Sequence, residues 1–444
     1  MEKYDYLFSL EIFWILIFVC MLLATISGLC ALIDVWINYP SIIFIDNTNS
    51  AIQEIPFPMI TICPSGQIRK SVWEKYSNTN SSYWENLQQY RHITCSSFLY
   101  GPTLKSHTKD YIDHDWYRQI MKDCAISCSE LFQSEVKWQN TTLSNFCQFV
   151  QPTLSIFGLC YAINMMPIYQ ILNDEYYQRS KWTLDVGYSL LSDENVLFNI
   201  IPARSNGVSY YHRLRLKLHT TENGFSICPN SKFDEDFFLV IISNPGELFA
   251  YKTRAFVASD TYKKIQITPF VKRIKSDLMW RSLKIRKCYL QNERKLSTFQ
   301  FYTESNCNEE CKINLTISIC GCAYYTSALA LYLSKVQMKC NCLPTCSVIE
   351  YDITDSSHYD SWNYLKATNL VKNNSKGATI EVVFRHPHFN AYEAASVVDG
   401  IDSLISSIGG ILGLFLGINL INILEILYVV IKIVVSYLYC KYVE

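Results

Sequence analysis

Two long apolar stretches lie near the ends of the chain and predict two membrane-spanning helices. The first, residues 12–33, contains no charged residue, and the second, about residues 404–439, contains only Glu425 and Lys432. Both exceed the roughly 20 apolar residues that cross a ~30 Å hydrocarbon core. The first has a long apolar core and no small-residue cleavage pattern, which favours a membrane anchor over a removable signal peptide. Two spans place both termini on the same side of the membrane.

The second stretch has one face of small and polar residues. Small residues recur at spacings of three and four: Ser403, Ser406, Gly410, Gly413 and Gly417. Asn419, Asn422 and Glu425 follow at intervals of three and bring polar groups to membrane depth, where they need water or a partner. The pattern indicates a helix that lines an aqueous pore, but small residues four apart are also typical of a helix-packing seam. By itself it leaves both interpretations open.

The segment between the two stretches has the features of an extracellular domain. It contains fifteen of the eighteen cysteines, from Cys63 to Cys346, and four N-glycosylation sequons, at Asn80, Asn140, Asn314 and Asn373. Disulfides and N-linked glycans form in an oxidising lumen. We therefore predict a multi-pass protein of the plasma membrane with an extracellular domain and cytosolic termini.

The composition argues against several classes of function. A net charge of −1 speaks against a nucleic-acid partner, and 49% hydrophobic residues with 18% charged residues agree with a membrane protein. The eight histidines are dispersed, and we assign His386 and His388 to a strand edge rather than to a metal site. We expect neither catalytic residues nor a bound cofactor or metal.

Short apolar runs bounded by turn residues predict strands in the extracellular segment. They lie at residues 55–64, where prolines bracket the run, and at residues 237–242 and 379–384. Residues 69–138 are polar and aromatic with irregular spacing. We expect helices and loops of an outer subdomain there.

Eight cysteines cluster in one part of the extracellular segment: Cys288, Cys307, Cys311, Cys320, Cys322, Cys340, Cys342 and Cys346. Zinc sites usually pair CxxC units in reducing compartments, which argues against a metal here. A ladder of disulfides along a helical hairpin is the better interpretation, although eight cysteines allow 105 pairings. Each bridge would contribute roughly 2 to 4 kcal/mol and would stiffen the segment.

An ordered set of motifs resembles the degenerin and epithelial sodium channel family. They are residues 56–63 (PFPMITIC), 158–164 (GLCYAIN), 286–290 (RKCYL), 305–311 (SNCNEEC), 340–346 (CNCLPTC) and 409–419 (GGILGLFLGIN). Within the family the chain is most similar to the insect pickpocket branch, through residues 36–40 (WINYP), 244–249 (NPGELF) and 302–307 (YTESNC). Each motif alone is weak, but the ordered set is specific.

The resemblance implies a two-span α-helical membrane protein with a large disulfide-rich α+β ectodomain and a trimeric channel architecture. The ectodomain would comprise a palm sheet, a cysteine-rich helical thumb, and finger and knuckle elements. Several copies of the second helix must meet around a symmetry axis, because one helix cannot enclose an aqueous path. The implied partners are sodium ion, membrane lipid and related subunits in a homo- or heterotrimer, with an extracellular ligand unknown.

The resemblance also gives domain boundaries. They are a cytosolic N-terminus at 1–11, a first helix at 12–36, an extracellular domain at 37–398, a second, pore-lining helix at 399–439, and a cytosolic C-terminus at 440–444. Within the extracellular domain, the three predicted strands near 55–64, 237–242 and 379–384 would belong to the palm sheet. The finger would occupy about residues 69–150 and the thumb about residues 286–346.

Three residues match the family's ion-selective constriction: Gly417, Ile418 and Asn419. The family has Gly-x-Ser there, so the resemblance does not fix the ion preference of a chain with asparagine, and Asn419 binding a neighbouring helix is the alternative. The residues expected to line the pore and its gate are Ser403, Ser406, Gly410, Gly413 and Glu425. Large side chains at the position of Ser406 hold family members open, and Glu425 would concentrate cations at the inner mouth.

The family's pattern implies a disulfide between Cys63 and Cys160. Outside that pair and the thumb an odd set remains: Cys95, Cys124, Cys128, Cys147 and Cys228. Trp36 and Trp280 are candidates for a joint between the ectodomain and the pore, although aromatic residues near a membrane end are also ordinary interface anchors.

The chain departs from the family's pattern in two places. Residues 1–11 contain no histidine or glycine, where the family has a His-Gly gating pair, and the thumb is shortened between Cys322 and Cys340. Two functions therefore stay open: a pore-forming subunit of an amiloride-sensitive type of sodium-preferring channel, or a non-conducting accessory or receptor subunit that needs partners. A ligand, protons or force are alternative stimuli.

Overall fold

The computed structural model describes residues 2–38, 41–65, 68–77, 79, 81–99, 114–132, 136–155, 157–173, 202–220, 237–248, 252–291, 293–320, 340–359, 376–395 and 400–443. The chain divides into two compact units. The first contains Met1–Phe44, Ile274–Lys287 and Glu393–Glu444, and the second contains Ile45–Arg273 and Cys288–Tyr392.

The described helices are α1 (Glu2–Asn38), α2 (Lys70–Tyr76), α3 (Ser82–Leu99), α4 (His114–Cys124), α5 (Cys128–Leu131), α6 (Ile168–Ile171), α7 (Ser276–Met279), α8 (Leu283–Arg286), α9 (Glu304–Cys320), α10 (Gly400–Leu416) and α11 (Leu420–Val443). The described strands are β1 (Ile42–Ala51), β2 (Met59–Pro64), β3 (Val136–Trp138), β4 (Thr141–Leu143), β5 (Val150–Ser155), β6 (Gly158–Ile163), β7 (Leu214–Thr220), β8 (Phe237–Ser243), β9 (Thr253–Ala258), β10 (Tyr262–Ile274), β11 (Val348–Tyr359), β12 (Lys376–Phe384) and β13 (His388–Ala395).

A five-stranded antiparallel sheet in the second unit has the order β5-β6-β2-β8-β9. Every residue of its central strand β2 is buried, and Ile60 lies opposite Ile242 of β8 and Ile163 of β6. The strand begins at Met59 rather than at residue 55, because Pro58 has no N–H to donate to a ladder.

A second sheet has the order β1-β13-β10-β12-β7-β3-β4, with β11 also paired to β10. β10 runs parallel to β12 and antiparallel to β11. The expectation that the three predicted strands share one palm sheet needs correction, since β2 and β8 pair in the five-stranded sheet and β12 lies here. A short apolar run identifies a strand but does not identify the sheet to which it belongs.

One hydrophobic core joins side chains from both sheets of the second unit. At its centre the Phe57 ring lies edge-on to Trp138 and Phe384, with ring centroids 4.7 Å and 5.6 Å away. A separate small core lies among α2, α3 and α4 and includes Leu87 and Ile120. We expected helices and loops in residues 69–138, and the described part of this region contains α2 to α5 with connecting loops. The strand β3 at its end was not expected.

The first unit contains α1, α7, α8, α10 and α11. In the part of the chain that the structure describes, only the Phe13–Asn38 portion of α1 is long and apolar enough to span a membrane by length and composition, and the apolar Asp402–Leu416 portion of α10 is shorter. α10 and α11 replace the single helix expected over residues 399–439, and residues 417–419 separate them.

Candidate functional site

The break between α10 and α11 begins at a glycine in a left-handed conformation. Gly417 has a φ of +66°, which strains any residue with a Cβ. Its N–H donates to the carbonyl of Gly413 at 3.1 Å, a bond that closes a helix C-terminus of this type, and the Ile418 N–H donates to the carbonyl of Leu412 at 3.4 Å. The sequence thus stops α10 at the position that matches the family's constriction.

Asn419 begins the next helix. Its Oδ1 accepts a hydrogen bond from the backbone N–H of Asn422 at 3.0 Å, which makes it the N-cap of α11. Asn419, Asn422 and Glu425 are all exposed in the single chain. Asn419 therefore supports its own helix, a role that the sequence pattern did not reveal although asparagine before an apolar helix is a known capping signal.

The small-residue face of α10 is largely uncovered within the chain. Four of its residues are exposed: Ser406, Gly410, Gly413 and Gly417. Ser403 is half-buried, and a Cβ on Gly409 or Gly410 would meet none of the described atoms within 4 Å. Contact with α1 occurs through another residue, since a Cβ on Gly28 would lie 3.5 Å from Cγ2 of Ile411. The seam is therefore not used for packing α1 against α10.

A contact between α1 and the segment after β10 involves a residue that the sequence analysis missed. Arg281 Nη1 donates to the Trp36 carbonyl at 3.1 Å, and its guanidinium carbon lies 4.3 Å from the centroid of the Trp36 ring. Trp280, the expected partner of this joint, is 90% exposed. In the sequence, the only indication of this role was that Arg281 directly follows Trp280, which we predicted to belong to the joint.

Three disulfides form a nested ladder in the predicted thumb. They are Cys288–Cys346, Cys307–Cys342 and Cys311–Cys340. Cys307 and Cys311 lie one turn apart on α9, so the two inner bridges stack along that helix. The side chain of Cys320, and Cys322, lie outside the described residues.

Two further disulfides among the described residues lie in the five-stranded sheet and at its flank. Cys63 of β2 bonds Cys160 of β6, the pair that the resemblance implied, and Cys128 bonds Cys147. Cys124 is a buried free thiol, and burial raises its pKa to about 12. Cys124 is thus an unpaired member of the five cysteines that the family's pattern left unassigned. Of those five, the Cys95 side chain and Cys228 lie outside the described residues.

Two of the four predicted glycosylation sites can be placed. Asn140 lies in the β3–β4 turn and Asn314 on α9, and both are exposed. Asn80 and Asn373 lie outside the described residues. Exposure is what attachment of a bulky glycan requires.

An acidic cavity of about 320 Å³ lies beside the ladder in the second unit, and Glu247, Glu304, Glu350 and Lys252 are among its lining residues. Lys252 Nζ binds Glu350 Oε2 at 2.7 Å. The pKa of Glu247 is raised to about 7, mainly by burial and further by repulsion from Glu350 and Glu304. A hydrogen bond to Thr303 and attraction by Lys252 lower it in part.

Replacing Glu247 with glutamine should change how stability depends on pH. Because the pKa of Glu247 is raised from 4.5 to about 7, the folded chain binds more protons than the unfolded chain in that window, and stability falls as pH rises through it. Across this window we expect the free energy of unfolding to fall by about 1 to 3 kcal/mol less in Glu247→Gln than in the unchanged protein. Melting temperatures between pH 4.5 and 8 measure it.

Glu85→Gln, at an exposed position on α3, is the control for the loss of one carboxylate. Parallel melting curves for Glu247→Gln and the unchanged protein over the whole pH range would contradict the assignment.

Comparison with known proteins gives consistent matches along the chain. Residues 3–429 match the model of the family described as amiloride-sensitive sodium channel. Pickpocket protein 28 of Drosophila melanogaster is 22% identical over 94% of this chain and 73% of its own length. Pickpocket protein 11 of the same species is 21% identical over 88% of this chain and 65% of its own length. Sodium channel protein Nach of Drosophila melanogaster is 18% identical over 92% of this chain and 81% of its own length.

Proposed function

Because the chain belongs to the amiloride-sensitive sodium channel family, whose members are ion channels and not enzymes, we propose that it is a pore-forming subunit of a trimeric, sodium-preferring cation channel. The matches to pickpocket proteins confirm the degenerin and pickpocket relationship that the motifs indicate. The proposed channel lies in the plasma membrane, crosses it twice and is gated through an extracellular domain.

The uncovered seam of α10 is the observation that supports this proposal most. Ser406, Gly410 and Gly413 are exposed, and α1 contacts α10 elsewhere. Small residues allow close approach of helices, and symmetric copies of one surface can surround an axis. Three copies of the seam would form the wall of the pore, with Ser403 and Ser406 toward the outer end.

The break at residues 417–419 supports the position of the constriction. Gly417 and Ile418 leave helical geometry, so backbone carbonyls there are available to replace part of an ion's hydration shell. Asn419 adds an amide at the start of α11, and Glu425 follows six residues later, after about 1.7 helical turns. A ring of carboxylates at that level would attract cations to the inner mouth.

The ladder and the contact at Trp36 support gating from outside the membrane. Nested disulfides make the thumb resist deformation, and Arg281 ties the segment before it to the end of α1. Movement of residues 276–286 would then pull on α1.

The second candidate is a non-conducting subunit that requires partners. Asn419 favours it, because this residue stands where the family has serine and its side chain caps α11 within the chain. Such a subunit would keep the ectodomain and contribute its α10 seam to a mixed trimer.

Current recordings from cells expressing this chain alone, and then with pickpocket-type partners, separate the two candidates. We expect sodium-selective, amiloride-blocked current from any complex that contains the chain at the cell surface, shown by surface biotinylation. Surface complexes whose current is identical with and without this chain, and unchanged by substitutions at residues 417–419, would support the accessory role and contradict the pore.

A further inference from the structure

The turn after α7 presents an exposed aromatic side chain at the end of the membrane span. Trp280 is 90% exposed and its neighbour Met279 is 39% exposed. Large apolar side chains in water are disfavoured unless another surface covers them. The rest of this turn is well packed, since Leu278 is completely buried.

The turn is also held firmly, so the exposure of Trp280 does not arise from a loose loop. The Met279 carbonyl accepts a hydrogen bond from Nη1 of buried Arg286 at 2.7 Å. The Lys275 N–H donates to the Ala394 carbonyl at 2.9 Å. The fold thus fixes the backbone that carries Trp280.

The contact of Arg281 sets the depth of this turn along α1. Its guanidinium binds the carbonyl and the ring of Trp36, and Trp36 lies two residues before the end of the Phe13–Asn38 span. Trp280, which precedes Arg281 directly, therefore lies close to the level at which the span ends. With α1 in a membrane, that level would lie near the headgroups, because the uncharged run ends at Ile33 and Asp34 follows it.

The charges around Trp280 fit the same boundary. Lys284 and Lys287 follow within two turns, and both are exposed. Tryptophan is favoured where hydrocarbon meets headgroups, and lysine ammonium groups bind headgroup phosphates. The combination fits a phospholipid surface better than water.

We infer that the turn at Met279 and Trp280 inserts into the headgroup region of the leaflet at the C-terminal end of α1, with Lys284 and Lys287 at the phosphates. This lipid contact would anchor residues 276–286 beside α1. The inference rests on the membrane span and not on the pore, so it stands or falls independently of current recordings.

Quenching of tryptophan fluorescence by brominated phosphatidylcholine tests the inference in the full chain reconstituted in nanodiscs. The difference between unchanged protein and Trp280→Phe isolates the signal of Trp280. Bromine near the headgroup should quench that difference roughly twofold more than bromine near the chain end, as expected for a ring at the interface. Trp14→Phe, within the span and 61% exposed, is the lipid-facing control, and Trp84→Phe, in the second unit, is the control away from lipid.

Two results would overturn the inference. A difference signal quenched by aqueous iodide but not by brominated lipid would place Trp280 in water. A signal quenched by neither would place it against another subunit. Photocrosslinking from p-benzoylphenylalanine at position 280, read as lipid or peptide adducts by mass spectrometry, decides the same question if the phenylalanine variant does not fold.

Discussion

Replacing Ser406 with valine is expected to produce a standing current that persists without stimulus. Ser406 is exposed on the α10 seam, so a larger side chain would not collide with α1 but with the copies of α10 that we propose around the pore axis. Extra volume in a close helix contact costs roughly 1 to 3 kcal/mol, which shifts a closed-to-open equilibrium by about 5-fold to 150-fold. Amiloride block and ion replacement identify the current.

The next residue is a matched control for this experiment. Ser407 has the same side chain but is half-buried on the other face of α10. Ser407→Val should leave the resting current unchanged. Equal standing currents from the two variants would show that the face of the helix does not matter and would remove the basis for the gate.

Replacing Asn419 with serine is expected to raise the preference for sodium over potassium by about tenfold, or about 1.4 kcal/mol of differential binding. Serine matches the family's constriction and keeps a side-chain oxygen that caps α11, so the helix stays intact. Asn419→Ala removes the cap that Asn422 now uses, at about 1 kcal/mol, and should lower the total current instead. Reversal potentials under sodium and potassium separate the two effects.

Asn422→Ser is the control, since the cap uses the backbone N–H of Asn422 and not its side chain. It should preserve both current and selectivity. The constriction would have to be placed elsewhere if Asn419→Ser and Asn419→Ala both left the reversal potentials and the current amplitude unchanged in complexes that contain the subunit.

The sequence predicted best those features that depend on local pattern. The apolar run before Asn38 and the strand at Met59 each follow from residue type and spacing. The motifs also identified the family, because six short segments in a fixed order rarely occur together.

Features that depend on tertiary pairing were not predictable in the same way. The sheet assignment of β2 and the unpaired state of Cys124 depend on which distant residue lies alongside, and periodicity does not encode that. Arg281 was missed because an arginine beside a tryptophan is common, and only the fold places it on Trp36. Asn419 was assigned to the ion-selective constriction. Its role as the N-cap of α11 depends on the backbone N–H of Asn422, whose position only the fold gives.

The bond between Cys63 and Cys160 has a consequence for the response of the protein to proteolysis. It closes a loop with a sequence separation of 97, which contains the helical finger region and the Cys128–Cys147 bridge. A protease that cuts once inside this loop leaves two fragments that stay covalently joined. Such a nicked subunit would migrate as an intact chain on a non-reducing gel and separate into two bands only after reduction. Cleavage and loss of the finger are therefore separate events for this protein. With respect to these two bridges, release of an intervening peptide requires two cuts, of which neither or both fall between Cys128 and Cys147.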